Sequence, residues 1–402
     1  MYDVPALRAR FPALDRGVAY FDGPGGSQVP DTVIAAMASV LTAGVSNRGR
    51  VTVAERLADD VVLAARSAMA DLLGADPGGI VFGRSMTALT FEFSRTLAAG
   101  WSPGDEIVVT RLDHDANIRP WVIAAQRAGV RVRWAEFDAA TAELPVDAVR
   151  SVISPRTRLV AVTAAGNLLG TRPDVRAIAH AAHAVGAITF VDAVHAAAHV
   201  PIDVAELGAD LLVCSPYKFL GPHCGVLAGR VELLESLRPD KLLPSTDDVP
   251  ERFELGTLPY ELMAGTTAAV DFLASLAGQA HRVAGDRRQQ LLAAMAMVDG
   301  HEQRLLRRVE AGLADLPAVT VHSRAARRTP TLLLTFAGRS PQQAYRFLAE
   351  RGINAPAGSF YAIEASRFLG LGDGGGLRVG LAPYSDDTDV DRLLEGLAEF
   401  LW

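Results

Sequence analysis

The sequence predicts an α/β protein: a mostly parallel sheet covered by helices, followed by a smaller α+β region. Three observations lead there. Short apolar runs alternate with stretches of 3.6-residue apolar spacing from roughly residue 20 to 260. Most of the runs are apolar throughout, as strands buried on both faces require. After Pro259 the rhythm changes to a long helical stretch and then mixed short elements, an α+β pattern.

A helical stretch at Val4–Arg10 opens the chain and is expected to pack on the smaller region. The strand-like runs are Glu106–Val109, Val130–Trp134, Leu159–Thr163, Ile188–Val191, Leu211–Val213 and Gly225–Leu227. Between them Asn117–Ala128 and Pro173–Val185 carry helical spacing. Helix is expected from Pro259 through about Arg308, strands at Val319–His322, Thr331–Phe336 and Leu377–Leu381, and helices at Pro341–Arg351 and Asp387–Phe400. The domains expected are therefore 20–260, and 1–19 together with 261–402.

With 402 residues, half of them apolar and 6% aromatic, the chain can bury a large core without disulfides or metal. The balance of 39 basic and 46 acidic residues leaves a net charge of −7. The longest basic run is Arg324-Ala325-Ala326-Arg327-Arg328, so nucleic acid is not expected as a partner. No basic segment followed by an apolar one opens the chain and no stretch of 18 uncharged apolar residues occurs. The expectation is a cytoplasmic protein without a membrane partner. Cys214 and Cys224 stand ten apart, outside CxxC spacing, and read as buried thiols rather than ligands.

Ligands of open parallel sheets sit beyond the carboxyl ends of the strands, so polar residues directly after apolar runs are the candidates. His114, Asn167, Asp192 with His195, and Lys218 each occupy such a position. Asp192 has two readings, a helix N-cap or a buried carboxylate meeting a cation such as a protonated pyridine nitrogen. Lys218, in Ser215-Pro216-Tyr217-Lys218, is either a solvated loop lysine or an amine held in a pocket that attacks a carbonyl. His114 could stack on a flat ligand or be a satisfied structural histidine. The run Phe82-Gly83-Arg84-Ser85-Met86-Thr87 could present backbone N–H groups to a phosphate, although hydroxyl capping explains it as well. His195 and His199 stand at i, i+4 but lack the glutamate of HExxH, and no third ligand is suggested, so no metal is expected. Asp22-Gly23-Pro24-Gly25-Gly26-Ser27 matches neither phosphate-loop pattern and fits a turn lining a site.

Six ordered motifs give the chain its resemblance to the class V aminotransferases, specifically their cysteine desulfurase-like branch. They are Asp113-His114-Asp115-Ala116-Asn117, Gly166-Asn167-Leu168-Leu169-Gly170-Thr171, Val191-Asp192-Ala193-Val194-His195, Ser215-Pro216-Tyr217-Lys218-Phe219-Leu220-Gly221-Pro222, Phe253-Glu254-Leu255-Gly256-Thr257 and Leu377-Arg378 through Tyr384. The resemblance implies fold type I with a seven-stranded-type sheet and pyridoxal 5'-phosphate (PLP) as cofactor. It implies that Lys218 forms the Schiff base and shuttles the Cα proton, that Asp192 pairs with the pyridine N–H and that His114 stacks on the ring. Asn167 and His195 would flank the ring's 3-oxygen. Ser85, Met86 through its backbone, Ser215 and Tyr217 would contact the phosphate, with Thr257 reaching it from the other subunit of a homodimer. Arg378 would clamp the substrate α-carboxylate, and Asn47 and Arg48 would belong to a substrate-side loop contributed across the dimer.

One departure bears on the subclass. Where desulfurases carry a nucleophilic cysteine, the stretch from Ala355 to Ala362 places Tyr361, and a phenol cannot take up sulfur as a persulfide. Tyr361 could instead donate a hydrogen bond to a leaving group, or simply pack. Tyr217, where desulfurases usually have histidine, is a second departure that leaves phosphate binding intact. The expected activity is that of a PLP-dependent aminotransferase or carbon–sulfur (β-elimination) lyase acting on an amino-acid-like small molecule through Cα deprotonation. The alternatives are a desulfurase with a displaced cysteine, an epimerase, or a non-catalytic homologue acting as a binding subunit.

Overall fold

The computed structural model describes residues 2–281 and 285–402. Its central sheet has seven strands: β1 (Ile80–Gly83), β2 (Glu106–Thr110), β3 (Arg131–Ala135), β4 (Thr157–Thr163), β5 (Ile188–Asp192), β6 (Leu211–Cys214) and β7 (Gly225–Gly229), in the order β1-β7-β6-β5-β4-β2-β3. Only β7 runs against its neighbours; the remaining pairings are parallel. The strand not anticipated is β1, four residues between Pro-Gly-Gly and Arg-Ser, too short to show a period.

Side chains alternate faces along each strand. Val81, Ile107, Val109, Leu159, Ala161 and Phe190 join one core, while Ile80, Phe82, Val108, Val160, Val162 and Val191 join another on the opposite face. Removing each such side chain from water contributes about 1.5–3 kcal/mol against the chain entropy, which is why the strands read as continuously apolar. The helices are α1 (Asp31–Thr42), α2 (Val53–Leu73), α3 (Met86–Ala98), α4 (Arg119–Ala128), α5 (Val175–His183) and α6 (Tyr260–His281). The first core is covered by α3 and α4 through Leu89, Phe93, Trp121 and Ala125. The second is covered by α2, α5 and α6 through Val62, Met69, Ile178 and Val270. A capping box of Thr52 and Glu55 starts α2, and Gly74 at φ +64° ends it, the left-handed position that glycine takes without strain.

The helical stretch expected from Pro259 onward consists of α6 and α7 (Arg287–Ala314); its residues 282–284 lie outside the described residues. A second, antiparallel sheet follows, β8 (Val319–Val321), β9 (Thr331–Phe336), β10 (Ala357–Gly358) and β11 (Gly376–Gly380), ordered β10-β11-β9-β8. Leu305 and Val309 of α7 and residues of α8 (Pro341–Ala349) and α9 (Asp387–Leu401) pack against it in a third core. The N-terminal segment touches both regions: Leu7, Phe11 and Leu14 enter the core with α2 and α6, while Arg8 bonds to Tyr384 O at 2.7 Å and Asp389 at 2.8 Å. No helix among the described residues is long and apolar enough to cross a membrane.

Thr110, Thr163, Asp192 and Cys214 end four neighbouring parallel strands at one edge of the sheet, in register through Thr163 with Asp192 and Asp192 with Val213. That edge faces β11 of the second sheet across the cavity described next.

Candidate active site

A cavity of about 660 Å³ lies at this carboxyl edge, with Lys218, Asp192, His114, Asn167, His195 and Arg378 on its walls. Met86, Tyr217 and Tyr361 line it as well, as do Pro24 and Gly25 of the N-terminal turn.

Asp192 is 4% exposed, and its Oδ1 accepts from Val194 N at 2.9 Å. That bond closes a turn rather than capping a helix, since the 3-10 turn Ala196–Ala198 begins after His195, and the buried-carboxylate reading is the one the geometry matches. Burial pushes this carboxyl up to about 6, with Lys218 opposing the shift. Lys218 follows β6 in a single 3-10 turn, and its Nζ donates to Pro24 O. Burial first, then Arg378, draws its amine down to about 7, while Asp192 pulls the other way. The amine is thus poised between protonated and nucleophilic forms near neutral pH.

His114 caps the turn that follows it, its Nδ1 accepting from Ala116 N at 3.0 Å. That nitrogen carries no proton. Burial, with Lys218 and Arg378 nearby, holds the imidazole down to about 4, so it presents a neutral ring. The turn is fixed from below by Asp113, which is fully buried and accepts from Thr110 Oγ1 and from Asn117 Nδ2 at 2.6 Å; Asn117 in turn accepts from Trp121 Nε1 at 3.1 Å.

His195 Nε2 lies 3.0 Å from Thr331 Oγ1 and 2.9 Å from Thr329 Oγ1, partners 136 and 134 positions away in sequence. Its Nδ1 is buried without a partner, and burial keeps the ring neutral. His199 turns instead to Glu302, 2.8 Å away. Among the described residues no group of three metal-ligating side chains occurs.

Arg378 is 2% exposed and sits mid-strand in β11. Nη1 donates to Asn167 O at 3.2 Å and the guanidinium lies 3.7 Å from the centroid of the Phe360 ring. Among the described residues no carboxylate comes within 4 Å of it, and Nε has no partner. Burial draws it down to about 9 against the attraction of Asp22. A buried guanidinium whose nearest carboxylate, Asp22, is too far for an ion pair is costly; an arriving anion offsets that penalty.

Several contributors show in the sequence only as candidates or motif members, or not at all, and owe their geometry to the fold. Phe360 and Tyr361 are consecutive non-glycine residues at φ +53° and +59°, a conformation costing about 1–3 kcal/mol each. Site residues hold them there: Asn167 Nδ2 donates to Phe360 O at 2.9 Å, and Asp115 N donates to Tyr361 O at 2.7 Å. The Tyr361 ring, 76% exposed, stands 5.5 Å from that of His114 at the mouth. Asp22, Asp113, Thr329 and Thr331 act only through contacts the fold creates.

Other expected residues lie outside this chain's own cavity wall. Ser85 caps α3, its Oγ accepting from Ala88 N at 3.1 Å. Ser215 is buried just behind, its Oγ without a partner. Thr257 and Asn47 are exposed, and Arg48 is paired with Asp59 at 2.8 Å and Glu251 at 3.0 Å. Cys214 ends β6 and Cys224 precedes β7; both are buried, neither lines the cavity, and burial pushes their thiols up, that of Cys224 to about 11.

The residues fit PLP. Unpartnered buried polar atoms, Asn167 Oδ1, His195 Nδ1, Ser215 Oγ and Arg378 Nε, gather at this one edge, where native structures otherwise satisfy such groups. A side chain at Gly225 would place its Cβ 2.4 Å from Met86 N; glycine there lets β7 pass directly beneath the N-terminus of α3, whose free N–H groups suit a phosphate.

A family model described as aminotransferase class-V matches residues 19–393. Over 400 residues, 99% of each chain, the sequence is 35% identical to the uncharacterized protein MT3887 of Mycobacterium tuberculosis. It is 31% identical over 414 residues to the cysteine desulfurase CsdA of Escherichia coli, covering 99% of this chain and 97% of that protein. The crystal structure of that CsdA, in an S-sulfonic acid form, superposes with a TM-score of 0.87 over 100% of this chain and 99% of that one.

Proposed function

This chain belongs to the class V aminotransferase family, and from that premise we propose how its residues divide the work of a PLP-dependent enzyme acting on an α-amino acid. The observation carrying the reading is that Lys218, Asp192 and an unpaired Arg378 share one cavity. PLP, when bound, supplies the electron sink that stabilises negative charge at the substrate Cα.

Asp192 holds the proton on the pyridine nitrogen, the cation that its buried carboxylate lacks in the protein alone. His114 lies flat against the ring. Asn167 and the free His195 Nδ1 flank the ring oxygen, and the start of α3 with Ser85, Met86, Ser215 and Tyr217 takes the phosphate. Lys218 would hold the cofactor through Nζ, and its amine, poised near neutrality, suits moving the proton at the substrate Cα. Arg378 binds the substrate carboxylate through two parallel N–H bonds.

The outcomes this arrangement favours are transamination or β-elimination of a sulfur or other leaving group. A protein persulfide is disfavoured because the only two cysteines are buried away from the cavity and held as thiols. Tyr361, at the mouth, is placed to donate to a leaving group. The desulfurase name of the E. coli relative supports an amino-acid substrate.

A homodimer with the site at its interface accounts for Thr257, Asn47 and Arg48. Exposed apolar side chains cluster in sequence around them, Val51 at 84%, Leu243 at 97% and Leu255 at 61% among them, the kind of surface that marks an interface. A cytoplasmic location accords with the absence of a membrane-spanning helix among the described residues.

The test is an absorbance scan of the purified protein, which should show a cofactor band that Lys218→Ala abolishes. A panel of amino acids with and without 2-oxo acids then separates the outcomes: conversion to the pyridoxamine form identifies transamination, and pyruvate release without a 2-oxo acid identifies a lyase. Sulfide release from cysteine that depends on Cys214 or Cys224 would overturn the reading against a persulfide.

A further inference from the structure

A second groove adjoins the cavity at its rim. Phe91 of α3 and Pro120 at the start of α4 line the cavity, and the same two residues line this groove of about 290 Å³ between those helices. The groove is walled by small apolar side chains, Ala98, Ala99, Ala124 and Ala128, with Ile123. Arg95 and Arg127 stand on it, both exposed. Among the described residues neither makes an ion pair. Arg119, which with Arg378 lines the main cavity, is by contrast committed to Asp115 at 2.9 Å and approaches Glu364 at 3.6 Å.

Alanine side chains on two packed helices leave a mostly apolar groove, and Ser94, its one uncharged polar lining residue, spends its hydroxyl on Phe91 O at 2.8 Å. Two guanidinium groups without a salt bridge at such a groove, Arg95 attracting only Glu92 of its own helix, complement an anion, not a cation or a neutral tip. Phe91 and Pro120 line both, so the groove adjoins the site at these two side chains.

We propose that this groove is a subsite for the distal end of the substrate, and that the enzyme prefers α-amino acids with an extended apolar side chain ending in an anionic group. The stem passes between Phe91 and Pro120, and Arg95 and Arg127 receive the terminal charge. The proposal rests on the reading in which the α-carboxylate is held by Arg378, since that anchoring sets the side chain's direction. It makes Arg95 and Arg127 specificity residues that take no part in proton transfer.

The test uses the holoenzyme and follows the cofactor's absorbance while alanine, 2-aminoheptanoate and 2-aminopimelate, all L isomers, are titrated in turn. The expected result is that 2-aminopimelate, the last two sharing a seven-carbon chain, binds about fivefold or more tightly than 2-aminoheptanoate at low salt. Arg127→Gln, Arg95→Gln or added salt should erase that gain while alanine's affinity stays unchanged, because partly exposed charges are screened. Ala99→Phe, an exposed position, should weaken both long substrates and spare alanine. Equal affinity for the neutral and anionic long chains, or arginine variants that leave the preference intact, would overturn the subsite. No spectral response to any amino acid, alanine included, would instead sink the underlying reading of the cavity.

Discussion

Arginines in two regions of the molecule are treated in opposite ways. On the outer face of the second sheet's helices, Arg304 and Arg308 reach Asp387 at 2.8 and 2.5 Å, and Arg308 also reaches Asp391. These pairs are solvated, and hydrogen bonding to Asp387 pushes both guanidinium groups up. Arg378, in the same half of the chain, is buried, without a counter-ion, and drawn down. Where charge serves the fold the protein completes the pair, at the surface or, as for Arg66 with Glu254 at 2.6 Å, in the interior, whereas where it serves a ligand it withholds the partner and shields the site from water. The carboxyl of Asp192 and the amine of Lys218 follow the second rule.

The largest effect expected from breaking that arrangement is at Lys218. Lys218→Ala should lower turnover by roughly 10³-fold or more and remove the covalently held cofactor band, since both the attachment point and the proton carrier are lost; a variant with near-normal turnover would refute the role. Asp192→Asn, keeping shape and removing charge, should lower kcat by about 100-fold, on the scale of other preorganised electrostatic groups. Its absorbance spectrum checks whether cofactor is still bound.

Arg378→Lys should raise KM for amino-acid substrates by about 10- to 100-fold with a smaller change in kcat, because a point charge replaces a two-pronged one. Steady-state kinetics decide this, and an unchanged KM would move the carboxylate elsewhere. A pH effect comes next. With its amine near 7, Lys218 is protonated and non-nucleophilic at pH 6 and free at pH 8, so the rate at which cofactor-free protein takes up PLP should rise severalfold between those values. A flat profile would contradict a depressed amine. The smallest effect is expected at the surface pair: Arg304→Gln should leave kcat/KM unchanged and shift stability by less than about 1 kcal/mol in a denaturant melt, as Asp387 keeps Arg308.

Much of the fold was legible because burial on both faces writes continuous apolar runs into β2, β4, β5 and β6, and because the residue after each run is placed at one edge by parallel topology. That placement singles out His114, Asn167, Asp192 and Lys218 as candidates from the sequence alone. The four-residue β1 was missed because so short a run carries no period. Asp113 could be read only as a motif member, since its buried partners Thr110 and Asn117 are revealed by folding.

By itself, then, the sequence determined what local periodicity and residue chemistry encode: the order of strands and helices, the family, and which side chains could hold a cofactor. Tertiary structure alone decided the rest. It brought Thr329 and Thr331 to His195 across more than a hundred residues, left Arg378 without a counter-ion, and twisted Phe360 and Tyr361 into the left-handed region against their own preference. Those features arise from long-range packing, which can impose burial, withheld partners and strain that no neighbouring residue specifies.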